Sequence, residues 1–239
     1  MLVGGRVAAL VPAAGRGERL GPGVAKALRQ LDGVPMLVHA VHALTASRSV
    51  DLVVVAVPAE SIEEVRALLG QQELSRDVSV VAGGDSRPES VARALIGLPA
   101  DVSIVLVHDA ARPLVPPELV SAVVAAVRQG HRAVVPGLPM VDTVKEVNES
   151  ENVTATPPRS RLRAIQTPQG FDRGVLQNAH AAMSHDDGTI TDDAGMVERM
   201  GEVVHVIPGH EEAFKVTRPI DMILAEAILA KRRASGGVG

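Results

Sequence analysis

Residues 7–28 read VAALVPAAGRGERLGPGVAKAL. The first five form an unbroken apolar run, the pattern of a strand covered on both faces. Pro12 closes the run. The loop that follows carries glycines at 15, 17, 21 and 23, with Arg16, Arg19 and Lys26 among them. A plain turn needs neither that much glycine nor three cations. A buried strand opening into such a loop is how an α/β chain begins when its ligand sits beyond the carboxyl ends of the strands.

The rest of the chain keeps this rhythm. LVVVAV (52–57), VSVVAG (78–83), SIVLVHD (103–109) and AVVPGL (133–138) read as further buried strands. Between them VPMLVHAVHALTA (34–46), SIEEVRALLG (61–70), SRPESVARALIGL (86–98) and PPELVSAVVAAVRQG (116–130) have helical spacing. Ser61 with Glu64, and Ser86 with Glu89 around an early Pro88, predict capping boxes; Gly70 and Gly130 predict helix stops. Strands and amphipathic helices alternating at short intervals predict an α/β fold with a doubly wound, mainly parallel, Rossmann-like sheet.

Residues 139–158, PMVDTVKEVNESENVTATPP, break the rhythm and predict a protruding β-hairpin arm. A hairpin alone is marginal in water. It needs either a second subunit or its own domain to pack on, and the sequence leaves both open. FDRGVLQNAHAAM, DDAGMVERMG and PIDMILAEAILAKRR then supply helices, and VVHVIPG a strand. Residues 1–232 read as one domain and 233–239 as a disordered tail.

Composition excludes several functions. The chain has 239 residues and a net charge of −4, a poor balance for neutralising many nucleic-acid phosphates. Its aromatic residues are Phe171 and Phe214 alone, so stacking platforms for bases are lacking. It has no cysteine, which removes disulfides, thiolate nucleophiles and cysteine-ligated zinc. No apolar stretch is long enough to span a bilayer, and the expected location is the cytoplasm.

The first loop fails both familiar glycine motifs. Position 20 is Leu where a dinucleotide fingerprint needs Gly, and Gly23 precedes Val24 where a Walker loop needs Lys. What remains is a loop whose backbone N–H groups can turn toward an anion, with Arg19 to fork onto phosphate oxygens and Lys26 as a mobile point charge. Solvated surface cations are the plainer alternative. The same edge offers VHDAARP (107–113), where Asp109 can hold a divalent cation or orient a phosphate, and a loop salt bridge explains it less specifically. In VAGGDSRPES (81–90), Gly83 and Gly84 permit close approach of a flat base and Asp85 can accept from an exocyclic amine. A capping box alone accounts for Ser86 and Glu89. TITDDAGM (189–196) and FKVTRP (214–219) look ordinary in isolation.

Taken together, PAAGRGERL with Lys26, GGDSRPES, VHDAARP, DTVK, IQTPQ, TITDDA and FKVTRP occur in an order and spacing that closely resembles the 2-C-methyl-D-erythritol 4-phosphate cytidylyltransferase family, over residues 6–230. The resemblance implies a nucleotidyltransferase fold and a homodimer with arm-exchanged active sites. It implies transfer of CMP from CTP to the methylerythritol phosphate, with Mg²⁺ and release of pyrophosphate. By the family pattern, Arg19 and Lys26 stabilise charge on the α-phosphate and the leaving pyrophosphate. Pro12, Ala13, Ala14 and Gly15 line the nucleotide, Gly84, Asp85 and Ser90 its base, and Asp109 and Ala110 its ribose and phosphates, with Asp109 as the metal candidate. Arg112, Thr191 and Lys215 face the sugar phosphate, with Thr167 nearby. Thr143 and Arg159 come from the other subunit, and Arg159 and Lys215 orient the attacking phosphate. Arg161 and Arg163 stand as alternatives to Arg159. The chain departs from the pattern in having Ala25, not proline, before Lys26. Ribitol 5-phosphate cytidylyltransferase shares most of these motifs, and a nucleotide-binding protein without turnover is the remaining alternative.

Overall fold

The computed structural model describes residues 4–14, 26–182 and 191–236, with the side chain of Lys26 excluded. The strands are β1 (Arg6–Pro12), β2 (Gln30–Leu31), β3 (Val34–Pro35), β4 (Leu52–Val57), β5 (Asp77–Ala82), β6 (Val102–Val107), β7 (Ala133–Pro139), β8 (Glu146–Val147), β9 (Val153–Ala155), β10 (Arg163–Ile165), β11 (Gln169–Asp172) and β12 (Val204–Pro208). The helices are α1 (Met36–Ala46), α2 (Ile62–Gly70), α3 (Arg87–Ile96), α4 (Pro117–Arg128), α5 (Arg173–Ala182), α6 (Asp193–Arg199) and α7 (Pro219–Ala234).

The main sheet runs β10-β7-β11-β6-β1-β4-β5, with β12 on the other side of β7. The β1–β4, β1–β6, β4–β5 and β7–β12 pairs are parallel, while β10 and β11 run antiparallel to their neighbours. Period-2 alternation splits each central strand between two cores. Val7, Ala9 and Val11 of β1 face the layer holding Leu37, Val65 and Val120; Ala8 and Leu10 face the layer holding Val91, Phe171 and Leu176. Helices therefore cover both faces, as the continuous apolar strands require.

From β1 the chain winds to β4 and β5, then returns to β6 on the opposite side of β1. The carboxyl ends of β1 and β6 flank this reversal, where open α/β sheets place their crevice. Gly170 lets α4, in the first of these layers, close tightly on β11, since a Cβ on it would lie 2.5 Å from Val123.

Several expectations need correction. Val34 and Pro35 pair with Leu31 and Gln30 before the helix begins. Ser61 makes no side-chain cap, so the box with Glu64 does not form. Ser86 does accept from the Glu89 backbone, but the Glu89 carboxylate reaches back to the N–H of Asp85 at 2.8 Å. β10 and β11 are strands that the polar IQTPQG run did not announce. Helix α7 extends to Ala234, two residues into the stretch expected to be disordered.

The hairpin is present as β8 and β9. Its turn is built by the Asn148 carboxamide oxygen, which accepts from the N–H groups of Ser150 and Asn152 at 3.1 and 3.0 Å. Val141, Val147 and Val153 on the arm are exposed, so it is not folded down onto its own sheet. Among the described residues no helix is long and apolar enough to cross a membrane.

Candidate active site

An open cleft of about 230 Å³ lies at the carboxyl edge of the sheet, lined in part by Arg87, Asp109, Arg112, Thr167, Thr191 and Lys215. They arrive from five parts of the chain, with Asp109 and Arg112 sharing the loop between β6 and α4. Asp109 follows β6, Arg87 opens α3, Thr167 lies between β10 and β11, Thr191 precedes α6 and Lys215 precedes α7.

Asp109 is the centre of its charge. One carboxylate oxygen accepts from Arg87 Nε at 3.2 Å and the other from Lys215 Nζ at 2.7 Å. Burial pushes its carboxyl up, but Arg87 and Lys215 outweigh burial and hold it well below the usual carboxylate range. Arg87 also donates from Nη1 to Asp193 at 2.6 Å. Asp193 is fully buried and takes a second contact from His180 Nε2 at 3.0 Å. Burial disfavours the Asp193 anion too, yet Arg87 and then His180 keep it ionised below its ordinary range. The Arg87 guanidinium, despite its own desolvation, is held above its normal value by Asp193 and Asp109.

A second network fixes the loop beneath. His108 is fully buried, and burial drives its imidazole down to about 4, so it is neutral at pH 7. Its Nε2 lies 3.1 Å from the Arg112 carbonyl, which can only accept, so Nε2 carries the proton. Nδ1 then accepts from the Thr167 hydroxyl at 3.1 Å, and the Thr167 oxygen accepts from the Asp109 N–H at 3.0 Å. Thr167 thereby sets the backbone from which Asp109 projects.

Arg112 is nearly buried. Its Nη groups donate to the carbonyls of Ala213 at 2.7 Å and Ile165 at 3.2 Å, while Nε has no hydrogen-bond partner among the described residues. At the end of β1, Ala13 donates to the Ala56 carbonyl at 2.7 Å, and half-buried Pro12 and Ala14 flank it. A Cβ on Gly83 would lie 2.8 Å from that of Ala14, so this glycine brings the two loops together. The buried Ser90 hydroxyl accepts from the Gly84 N–H at 3.0 Å and donates to the Ser86 carbonyl at 2.9 Å. A Cβ on Gly84 would collide with the Glu89 side chain, so that position must stay bare for the protein's own packing. Asp85 is exposed and Ala110 buried.

Thr143 and Arg159 are exposed on the arm and do not line the cleft of their own chain. Arg159 Nη1 donates to the Val141 carbonyl at 2.6 Å. Arg161 and Arg163 are likewise exposed there. Gly15, Arg16, Arg19 and the Lys26 side chain lie outside the described residues; the Lys26 backbone opens a single 3₁₀ turn ending at Leu28. Sequence reasoning missed Arg87, His108 and Asp193 as parts of the site. The position of Arg87 directly after the Gly83-Gly84 edge was the available signal.

Comparisons with known proteins agree with this geometry. The family model for IspD, 2-C-methyl-D-erythritol 4-phosphate cytidylyltransferase, matches residues 7–231. The enzyme of that name from Streptomyces avermitilis is 58% identical over 242 residues, covering 98% of this chain and 96% of that protein. A crystal structure under the same name from Thermus thermophilus is 35% identical with a TM-score of 0.74, covering 94% of this chain and 99% of that one. The 4-diphosphocytidyl-2C-methyl-D-erythritol synthase from Anaerococcus prevotii superimposes with a TM-score of 0.82 at 25% identity, covering 95% and 99%. The chain belongs to the 2-C-methyl-D-erythritol 4-phosphate cytidylyltransferase family.

Proposed function

We propose that this member of the family transfers CMP from CTP to 2-C-methyl-D-erythritol 4-phosphate, releasing pyrophosphate. The observation that carries the reading is the Lys215–Asp109–Arg87 chain at the crevice between the β1 and β6 ends, combined with the family match. It is a cytidylyltransferase, and its chemistry follows from its cations. A phosphate monoester is already nucleophilic at neutral pH and needs no general base. Catalysis then consists of in-line positioning and of neutralising charge that grows on the transferring group. The neutral, buried His108 is suited to holding a loop and not to taking a proton.

In this reading Lys215 grips the polyol phosphate beside Thr167, Thr191 and Arg112, whose unpartnered Nε is a donor in reserve. Arg19 and Lys26 meet the triphosphate, Pro12 to Gly15 and Gly84 to Ser90 hold the nucleotide, and Asp109 and Ala110 lie at its ribose and phosphates. Removing Lys26 should lower kcat by roughly 10²–10³, as for other stabilisers of developing anions.

The donor set fits one divalent cation carried mainly by the triphosphate. No cluster of three acidic or His side chains occurs among the described residues. Each Asp109 oxygen accepts a single hydrogen bond and keeps a lone pair, so Asp109 would add one hard oxygen to those of the phosphates. When bound, Mg²⁺ would neutralise triphosphate charge.

The exposed arm valines support a homodimer in which Thr143 and Arg159 of one protomer complete the cleft of its partner. Residues 1–232 act as one catalytic domain in this scheme. Pyrophosphate release from CTP tests the assignment: turnover with methylerythritol phosphate supports it. Turnover with ribitol 5-phosphate alone shifts the substrate, and none with either leaves a binding protein.

A further inference from the structure

Four consecutive contacts link the interior of the molecule to the cleft: His180 Nε2 to Asp193 at 3.0 Å, Asp193 to Arg87 Nη1 at 2.6 Å, Arg87 Nε to Asp109 at 3.2 Å, and Asp109 to Lys215 Nζ at 2.7 Å. The series starts at the fully buried Asp193 and ends at Lys215, whose side chain is 40% exposed, with Asp109 less exposed than either cation beside it. We propose that Arg87, anchored by Asp193, is a positioning residue that orients Asp109 and through it fixes Lys215 for the attacking phosphate. The inference rests on the function proposed above for Lys215.

The physical need is clear from Lys215 itself. A lysine is a point charge on a four-carbon stem with many rotamers. Left in water it would sample them, and a misplacement of about 1 Å can cost on the order of 10²-fold in rate. Asp109 pins the ammonium, but a carboxylate turns about its own bond unless its second oxygen is held. Arg87 holds that oxygen. It does so while its other arm is locked on Asp193, and its backbone is set as the first residue of α3 with Pro88 behind it. A planar fork presents donors to the two carboxylates from separate, fixed nitrogens, whereas lysine at position 87 would offer a single mobile ammonium and hold the pair less rigidly. From Asp193 to Lys215 the charges alternate in sign, which lets buried ions stand without leaving one unpaired.

The test is a double-mutant cycle in the full-length protein, read by pyrophosphate release with both substrates varied. Arg87→Gln and Arg87→Lys should each lower kcat/KM for the polyol phosphate by about 10–100-fold, with KM for CTP moving less than about threefold. In a Lys215→Ala background the same Arg87 changes should cost less than about threefold, because the group they position is gone. Full additivity in that background, or an equal loss on the CTP side, would overturn the proposal in favour of direct substrate contact or general destabilisation. Arg87 is partly exposed, and thermal unfolding checks that both variants fold. A second measurement does not depend on turnover. Acetylation of Lys215 by acetic anhydride at fixed pH, followed by peptide mass spectrometry, should run severalfold faster in Arg87→Gln than in the unaltered protein. An unchanged rate would show that Arg87 does not restrain Lys215, whatever the enzyme's substrate proves to be.

Discussion

The cleft wall and the arm handle polar and apolar groups in opposite ways. At the wall, the buried Asp193, the partly exposed Arg87, Asp109 and the exposed Lys215 satisfy one another in sequence, and His108 and Thr167 fix the loop beneath them. On the arm, Lys145 bonds Thr156 at 2.7 Å and Arg159 bonds a carbonyl beside it, so the hairpin keeps its own shape. Yet Val141 there is 81% exposed. The wall is finished by folding. The arm is finished only when a surface covers it, which is the physical content of the proposed dimer. In the proposed dimer, preorganisation and assembly would divide one site between them.

The sharpest way to break this division is to disable each half separately. Lys215→Ala and Arg159→Ala should each lower kcat/KM for the polyol phosphate by about 10²–10³. If the arm serves a partner's cleft, mixing the two inactive variants after dissociation should restore about a quarter of the normal activity, since half the dimers then carry one intact site of two. No recovery after verified subunit exchange would return the arm to its own chain.

The wall should also be pH-sensitive. His108 titrates near 4 when folded and near 6.5 when unfolded. A depressed histidine contributes stability that is complete above pH 6.5 and is lost as pH falls toward 4, because the unfolded chain takes up the proton first. The loss should approach ~3 kcal/mol across that window. Asp109 and Asp193, held low, stay ionised through it and contribute until more acidic pH. Denaturant unfolding at pH 7 and pH 4.5 should show a smaller pH difference for His108→Asn, with His39, also depressed by burial, supplying part of what is left.

The smallest effect belongs to the arm's surface. Val141→Ser or Val153→Ser should alter the unfolding free energy by no more than about 0.5 kcal/mol. Both should weaken self-association in sedimentation velocity. A large stability loss in a dilute monomer would mean that the arm packs on its own domain after all.

How far the chain discloses itself follows the same line. The central parallel strands β1, β4 and β6 were legible because burial on both faces leaves a short apolar, β-branched run. β10 and β11 were not: antiparallel to their neighbours, they are built from the polar stretch RAIQTPQGFD, and Gln166 and Gln169 are buried only because Gln166 bridges His210 and Gln169 bridges Asp192 and Ala194. No local pattern states such long-range partners. Asp109 and Lys215 were legible as site residues through their motifs. Arg87 was hidden by a sufficient simpler explanation, since Ser86 and Glu89 already account for the SRPES segment as a helix start. His108 sat beside a recognised aspartate, and its tautomer emerges only once the Arg112 carbonyl and Thr167 hydroxyl meet it.

Arg112 ties the carbonyl of Ile165, at the end of β10, to that of Ala213, two residues before Lys215. One guanidinium thus clamps the base of the arm to the segment that delivers the cleft's lysine. This sets where the chain can change length. Extra residues at the Asn148–Glu151 turn would lengthen the tip and leave the clamp alone. One extra residue between Arg163 and Gln166 would slip β10 against β7, reverse its facing side chains and pull the clamp from its carbonyl. Natural or engineered variation in arm length should therefore fall at the tip and stop short of the root.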